Sequence, residues 1–209
     1  MSSIIGKIER LSGVPFLLEA LRPRVLGIIQ ARSTSKRLPG KIFMKIGDKT
    51  ILEHCASRCL ESKVDKWVCA VPYKEVEFEL WPGNVEVRNP KVKENDVLGR
   101  FARVAEEFPE YEWIVRITAD SPFVNPKIID ETIEHATKTN RPQFDYFNEG
   151  SCVAVFRRED LLKADKLIKG KMREHVCEGF RKGFPDDKGS IDTASDLKKA
   201  RRKYELLRK

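Results

Sequence analysis

Short apolar runs of five to eight residues alternate with amphipathic segments along most of the chain. Such runs are typical of strands that a sheet buries on both faces. We predict strands in RVLGIIQA (24–31), KWVCAVP (66–72), NVEVRN (84–89), EWIVRITA (112–119) and CVAVF (152–156).

Between the strands, apolar residues recur every three or four positions, which is the spacing of one helix face. This spacing predicts helices over residues 50–62, 95–108, 125–138, 157–168, 172–180 and 193–207. Two of them carry clear start signals. Asn125 and Pro126 suit the N-cap and first helical position, and Thr193 and Asp196 have the spacing of a capping box.

Strands that alternate with helices predict an α/β fold with a doubly wound, mostly parallel sheet. Ligands bind such sheets beyond the carboxyl ends of the strands. Residues 24–209 would form this domain, and the less regular region 140–190 would add a small lobe. Residues 1–23 precede the first strand and are predicted to be a helical extension.

Composition narrows the class of protein. The chain has 209 residues, enough for one domain with a core, and a net charge of +8 indicates an anionic partner. It has no apolar run long enough to span a membrane and no typical signal peptide, so we expect a cytoplasmic location. Its five cysteines include no C-x-x-C pair, which favours buried thiols over a zinc site.

The segment QARSTSKRLPGK (30–41) follows the first predicted strand directly and combines two arginines, two lysines and three hydroxyl side chains. Hydroxyls, backbone N–H groups and fixed cations at the end of a strand suit a polyphosphate. The segment is neither a P-loop nor a dinucleotide fingerprint, because G-x-x-x-x-G-K-[ST] and G-x-G-x-x-G are both absent. A basic surface loop without a ligand is the alternative.

Five motifs in order carry a family resemblance: IIQARSTSKRLPGK (28–41), NDVLGRF (95–101), RITADSPFVNPKIID (116–130), REHV (173–176) and IDTASDL (191–197). Together they resemble cytidylyltransferases of the CMP-N-acetylneuraminate synthetase kind, and most closely the branch of spore coat polysaccharide biosynthesis proteins. The resemblance implies a Rossmann-like sugar-nucleotidyltransferase fold and a homodimer. It also implies transfer of CMP from CTP to a sugar or similar small acceptor for surface glycan synthesis, with Mg²⁺ as cofactor.

The motifs place candidate residues in four groups. Phosphate contacts are expected from Arg37, Lys41, Ser33 and Ser35, and contacts with the base or α-phosphate from Ala31 and Arg32. Asp120 and Asp192 would hold Mg²⁺, which needs only one or two protein carboxylates beside a substrate phosphate. Arg37, Lys41 and Asp120 are the candidates for catalysis. Further nucleotide contacts are assigned to Asp96 and Arg100, and acceptor contacts to Arg116 and His175.

Each of these roles competes with a structural one. Asp120 suits a turn before Ser-Pro, Asp192 suits the approach to a helix, and Asp96 suits an N-cap. His175 suits an ordinary helix surface. An arginine on a buried strand needs a partner, for which Asp145 or an acidic substrate are the candidates at Arg116.

One segment departs from the family pattern. In GSCVAVF (150–156), Cys152 and Ala154 stand where relatives carry acidic residues, which implies a different acceptor or an inactive relative.

Two other functions remain as alternatives. A glycosyltransferase of related fold would usually carry a D-x-D metal motif, which this sequence lacks. A nucleic-acid-binding protein would interleave its cations with aromatics, and only the basic C-terminal segment supports it.

Overall fold

The computed structural model describes residues 22–73, 85–145, 153–176 and 191–207. The predicted N-terminal extension lies outside these residues apart from Arg22 and Pro23. Cys152 and Cys177 also lie outside the described residues, as do positions 146–152 and 177–190 of the predicted irregular lobe.

The five predicted strands and five of the six predicted helices are present, whereas the short strands Lys45–Ile46, Lys49–Thr50 and Gln143–Asp145 were not predicted. The strands are β1 (Val25–Gln30), β2 (Lys45–Ile46), β3 (Lys49–Thr50), β4 (Lys66–Ala70), β5 (Glu86–Arg88), β6 (Trp113–Thr118), β7 (Gln143–Asp145) and β8 (Val153–Arg157). The helices are α1 (Ile51–Leu60), α2 (Val97–Glu107), α3 (Pro126–Thr139), α4 (Arg158–Leu167) and α5 (Ala194–Leu207). Single 3₁₀ turns occupy Lys41–Phe43 and Gly170–Glu174.

The main sheet has the strand order β5-β4-β1-β6-β8-β7. Strands β5, β4, β1 and β6 are parallel, and the sequence's α/β prediction is therefore confirmed. Gln30 at the end of β1 pairs with Ala70 of β4 on one side and Thr118 of β6 on the other. The carboxyl ends of three central strands therefore meet at one edge of the sheet.

Strand β8 is the antiparallel member, pairing with both β6 and β7. The alternation rule predicts a parallel strand here, but it omits the three-residue strand β7. The connection from β6 through α3 reaches β7 in the parallel direction. The chain then returns between the two as β8, so the reversal follows from a hairpin that was too short to predict from the sequence.

Both faces of the sheet are covered. Leu52 of α1 and Ile129 of α3 belong to the apolar cluster on one face, and Phe101 of α2 and Leu161 of α4 to the cluster on the other. Because each central strand is buried on both sides, its sequence is nearly continuous in apolar residues rather than alternating.

The predicted helix starts are confirmed. The Asn125 side chain accepts a hydrogen bond from the Lys127 N–H at 3.0 Å. Thr193 and Asp196 form the capping box: the Asp196 N–H donates to Thr193 Oγ1 at 3.2 Å and the Thr193 N–H donates to Asp196 Oδ2 at 3.0 Å. Polar side chains thus satisfy N–H groups that the first helical turn leaves without partners.

The helix predicted over 172–180 is wrong in its described part. Gly170 has a left-handed φ of +67°, and only the 3₁₀ turn Gly170–Glu174 forms before the backbone extends at His175. The Arg173 guanidinium donates to the carbonyls of Asp165 and Ile168. These contacts hold the turn against the end of α4 instead of in a helix of its own.

A small third cluster joins the C-terminal helix to the β2–β3 hairpin. It contains Ile46, Ile51, Ile191, Leu197 and Ala200, all buried. The docked helix α5 begins two residues after Asp192. None of the described helices is long and apolar enough to cross a membrane.

Candidate functional site

The loop after β1 folds back on itself at the carboxyl edge of the sheet. The Ser33 carbonyl accepts hydrogen bonds from the N–H groups of Ser35 at 3.1 Å and Gly40 at 3.0 Å. The Ser35 hydroxyl accepts a third from the Leu38 N–H at 3.3 Å. Ala31, at the start of the loop, is buried and continues the sheet pairing by donating to the Ala70 carbonyl. The closed loop directs its last residue, Lys41, toward the sheet.

Four predicted site residues meet in one charged cluster. Lys41 Nζ donates to Asp120 Oδ2 and, at 2.9 Å, to Asp192 Oδ1. An Arg37 guanidinium N–H donates to the other Asp192 oxygen at 2.7 Å. Lys41 thereby joins Asp120 and Asp192, which lie 79 and 151 positions after it in the chain. Within this cluster two positive and two negative charges balance.

The backbone fixes both carboxylates. Asp120 lies two residues beyond β6, and its carbonyl accepts a hydrogen bond from the Ile191 N–H at 3.0 Å. Asp192 follows Ile191 and precedes the capping box of α5. The contact between the two segments explains why aspartates far apart in sequence share one lysine.

The cations of the cluster differ in their freedom to move. The Lys41 side chain is 9% exposed, whereas the Arg37 side chain is 66% exposed. Arg37 can therefore leave Asp192 for a ligand at little cost, because exposed ion pairs contribute little to stability. Lys41 can rotate about its flexible stem but remains near the two carboxylates.

The residues fit a divalent cation in one specific respect. Asp120 Oδ1 is buried and accepts no hydrogen bond from any described residue. A buried carboxylate oxygen without a partner is costly unless a ligand or an ion completes it. The described residues include no group of three or more His, Cys, Asp or Glu side chains able to hold a metal. Two carboxylates therefore suit a hard cation that takes its remaining ligands from a substrate and water.

Arg32 and Thr34 have a partner that the sequence analysis missed. An Arg32 guanidinium N–H lies 3.3 Å from Glu94 Oε1, and the Thr34 hydroxyl donates to the same oxygen. Glu94 lies 62 residues after Arg32, just before the NDVLGRF motif, and no local pattern identified it. The contact joins the phosphate loop to the segment that leads into α2.

Asp96 has the structural role that competed with nucleotide binding. Its side chain caps α2 by accepting from the Gly99 N–H at 3.0 Å, and it also pairs with Arg173 at 2.8 Å. Arg173 binds Asp165 of α4 as well, at 2.5 Å. Arg100 is completely buried one turn into α2. The nucleotide contacts assigned to Asp96 and Arg100 remain predictions.

The two acceptor candidates are Arg116 on β6 and His175, which follows the second 3₁₀ turn. Arg116 and Thr118 share a strand face as predicted, and Arg116 Nε donates to Gln30 Oε1 at 3.1 Å. Gln30 is therefore a described partner of this arginine. His175 is exposed and follows the 3₁₀ turn that packs on α2. Their contacts with an acceptor remain predictions.

The described cysteines, Cys55, Cys59 and Cys69, are buried as predicted and form no disulfide with one another. The Cys55 thiol donates to the Thr118 carbonyl at 3.5 Å, below the loop that carries Asp120. A hydrogen bond with Cys59 and burial raise the pKa of the Cys55 thiol well above its usual range. It is therefore protonated and contributes packing rather than a nucleophile.

Comparison with known proteins identifies relatives across most of the domain. The sequence model of the family described as Cytidylyltransferase matches residues 26–203. An uncharacterized protein of Methanocaldococcus jannaschii is 37% identical over 166 residues, which cover 73% of this chain and 65% of the relative. A 3-deoxy-manno-octulosonate cytidylyltransferase of Haemophilus influenzae is 31% identical over 115 residues, covering 54% of this chain and 45% of the relative. The chain thus spans less than two thirds of each of these relatives.

Solved structures agree on the fold. A cytidylyltransferase of Leptospira borgpetersenii superposes with a TM-score of 0.72 at 26% identity and covers 84% of both chains. A CMP:2-keto-3-deoxy-manno-octonic acid synthetase complexed with CTP gives a TM-score of 0.66 at 16% identity, over 88% of this chain and 99% of that one. The predicted nucleotidyltransferase type of the α/β fold is therefore confirmed.

Proposed function

Because the chain belongs to the cytidylyltransferase family, we propose that it transfers CMP from CTP to a hydroxyl group of a sugar acceptor and releases pyrophosphate. The observation that carries this proposal is the cluster of Lys41, Arg37, Asp120 and Asp192 at the carboxyl edge of the sheet. It supplies cations for a triphosphate and carboxylates for a metal in one place.

In the proposed reaction the acceptor oxygen attacks the α-phosphorus of CTP. The bond from that phosphorus to the oxygen bridging it to the β-phosphorus breaks, pyrophosphate leaves with the bonding electrons, and the proton of the acceptor hydroxyl passes to solvent water. Such transfers depend mainly on positioning and on neutralising charge. Lys41 and Arg37 would bind the β- and γ-phosphates and stabilise the departing pyrophosphate.

The loop supplies the remaining phosphate contacts in this proposal. Ser33 and Ser35 would turn their hydroxyls to phosphate oxygens, and Arg32 would exchange Glu94 for the nucleotide. The Arg32–Glu94 pair is exposed at both side chains, so breaking it costs little. Ala31, buried at the end of β1, would leave only backbone groups beside the base.

Mg²⁺ is the proposed cofactor, and Asp120 and Asp192 are the residues that would hold it. When bound, the ion would offset the charge of the phosphate oxygens around the α-phosphorus. The support from this chain is the buried Asp120 Oδ1, which lacks a partner among the described residues. Asp192 would offer an oxygen that Lys41 or Arg37 now occupies.

A sugar acid is the proposed acceptor. Curated relatives from Haemophilus influenzae and Leptospira interrogans are 3-deoxy-manno-octulosonate cytidylyltransferases, and the motifs resemble synthetases that act on N-acetylneuraminate. Arg116 and His175 are the proposed acceptor contacts. Ala154, which replaces an acidic residue of the family, is buried in β8 and offers the acceptor no polar group. The activated sugar would serve surface glycan synthesis.

A transfer assay tests this function. The protein is incubated with CTP, Mg²⁺ and either 3-deoxy-manno-octulosonate, N-acetylneuraminate or a neutral hexose, and pyrophosphate and the CMP-sugar are quantified. We expect equal amounts of both products with one of the sugar acids. The near-isosteric Asp192→Asn variant should lose about 100-fold in rate, while Asp48→Asn on the exposed hairpin should not. If CTP releases no pyrophosphate with any of the three sugars, the proposal is contradicted.

A further inference from the structure

The charged cluster uses each group of the proposed site to neutralise another. Lys41 Nζ lies between Asp120 and Asp192, and Arg37 takes the remaining oxygen of Asp192. The groups proposed to bind a triphosphate therefore occupy the groups proposed to bind a metal. Asp120 Oδ2 and both oxygens of Asp192 are therefore not available to a metal while Lys41 and Arg37 stay in place.

Adding one ligand alone to this balanced cluster is electrostatically unfavourable. A divalent cation beside Asp120 would face the Lys41 ammonium, which is only 9% exposed and little screened by water. A triphosphate alone would bring its negative charge against the two carboxylates. When both ligands arrive together, the cations pass to phosphate and the carboxylates pass to the metal, so every charge keeps a partner.

The architecture allows this exchange because only the cations need to move. Asp120 is fixed by the Ile191 N–H bound to its carbonyl, and Asp192 lies between that contact and the capping box of α5. Lys41 has a four-carbon stem that can redirect its ammonium without moving the backbone. The exposed Arg37 is freer still.

We propose that Lys41 is an internal counter-ion that occupies the divalent-cation position between Asp120 and Asp192 and gives it up when a nucleoside triphosphate takes its ammonium. Metal and nucleotide then bind as a coupled pair, each raising the affinity for the other by the same factor. This inference rests on the proposed function, because it needs both ligands at this site.

Mn²⁺ binding measured by electron paramagnetic resonance, with and without CTP, tests the coupling. In the wild-type protein we expect CTP to tighten Mn²⁺ binding by about 10-fold or more. The uncharged, similarly long Lys41→Met variant should bind Mn²⁺ alone about 10-fold more tightly than wild type, because its competitor is gone. In this variant the enhancement by CTP should be smaller than in wild type, because only the direct attraction between the ion and the phosphates remains.

Lys49→Met is the matched control, since it removes the same charge from an exposed position on the hairpin. It should leave both the Mn²⁺ affinity and the coupling factor unchanged. Lys41→Met that binds Mn²⁺ no more tightly than Lys49→Met would overturn the proposal. If Lys41→Met does not fold, equal Mn²⁺ affinity of wild type with and without CTP would overturn it by itself.

The same data separate this inference from the proposed function. A protein that makes a CMP-sugar but shows no Mn²⁺–CTP coupling contradicts the counter-ion role alone. A protein that fails to bind CTP contradicts the proposed function. In that case the nucleotide-free Mn²⁺ titrations of Lys41→Met and wild type still show whether Lys41 competes with a divalent cation.

Discussion

Gly40 determines how the loop after β1 delivers Lys41. Its φ of +66° is left-handed, and its N–H donates to the Ser33 carbonyl at 3.0 Å. A Cβ at this position would meet no atom within 4 Å. An alanine at this position would therefore destabilise the fold through its backbone conformation and not through a steric clash. The strained residue would lie directly before Lys41.

Gly40→Ala should lower the free energy of unfolding by about 1 kcal/mol, because an L-residue is strained at this φ. It should also weaken CTP binding, since relief of the strain moves Lys41. Chemical denaturation and calorimetric titration measure the two effects.

Gly170→Ala is a close control for that substitution. Gly170 has a φ of +67° and equally open surroundings, but it begins the second 3₁₀ turn, which packs on α2 and does not carry a residue of the charged cluster. It should lose similar stability and keep its CTP affinity. Equal losses of affinity in both variants would contradict the role given to Gly40.

At the scale of elements, Arg173 joins two helices and a 3₁₀ turn. It donates to Asp96 at the N-cap of α2, to Asp165 near the end of α4, and to the carbonyls of Asp165 and Ile168. Its side chain is 18% exposed and that of Asp165 only 10%. Because Arg173 lies two residues before His175, its contacts also hold the backbone that leads to this proposed acceptor residue.

Arg173→Met should lower the free energy of unfolding by about 3 kcal/mol, because Asp96 and Asp165, both partly buried, lose the arginine that they share. Arg103→Met removes an arginine that also pairs with Asp165 but is 45% exposed, and it should cost less than about 1 kcal/mol. Urea denaturation of the two variants gives the comparison. Similar losses of unfolding free energy in both variants would show that the ion pairs of Arg173 contribute no more than an exposed surface pair.

The same pairing gives the protein a dependence on pH. Burial acts to raise the pKa of Asp165, but hydrogen bonds from Arg173 and Arg103 outweigh it and the pKa is lowered. The ionised form therefore stabilises the fold above the unfolded pKa near 4, and this contribution is lost as pH falls through the lower folded value.

Between about pH 5 and pH 3, the free energy of unfolding should fall more steeply in wild type than in Asp165→Asn. The variant lacks the titrating carboxylate, so its own loss of stability comes from other groups. Denaturation curves at several pH values provide the slopes. Parallel slopes would contradict the lowered pKa.

At the scale of the whole molecule, the C-terminal helix completes the site. Helix α5 packs through Leu197 and Ala200 against Ile46 and Ile51, and this docking places Asp192 beside Lys41. Arg201 Nε also donates to the Lys45 carbonyl at 2.9 Å. The last described element of the chain thereby supplies a carboxylate to a cluster that begins after the first strand.

Leu197→Ala should lower both the free energy of unfolding, by about 2–4 kcal/mol, and the affinity for CTP with Mg²⁺. Leu26→Ala in the first half of β1 removes the same group from the main core, where Leu26 is fully buried. It should cost similar stability without changing nucleotide affinity below its melting temperature. A weaker affinity in Leu26→Ala alone would contradict the role of α5.

The features that could be predicted from the sequence are those that depend on a local pattern of residues. The capping signals at Asn125 and Thr193 located helix starts within one residue, and the loop after β1 was identified by composition. Partners distant in sequence were missed. Arg173 lies 77 residues from Asp96, and Glu94 lies 60 from Thr34, so no spacing rule connects them. Strand β7 was missed because three residues carry too little periodicity.

The central claim is tested most directly by the melting temperature of the protein with CTP, UTP, ATP or GTP, each with Mg²⁺, in wild type and Arg37→Ala. A ligand at 100 times its Kd adds about 2.7 kcal/mol to the stability of the folded state. We predict selective stabilisation of wild type by CTP and a smaller effect in Arg37→Ala. Stabilisation by none of the four nucleotides would contradict the triphosphate site at the end of β1.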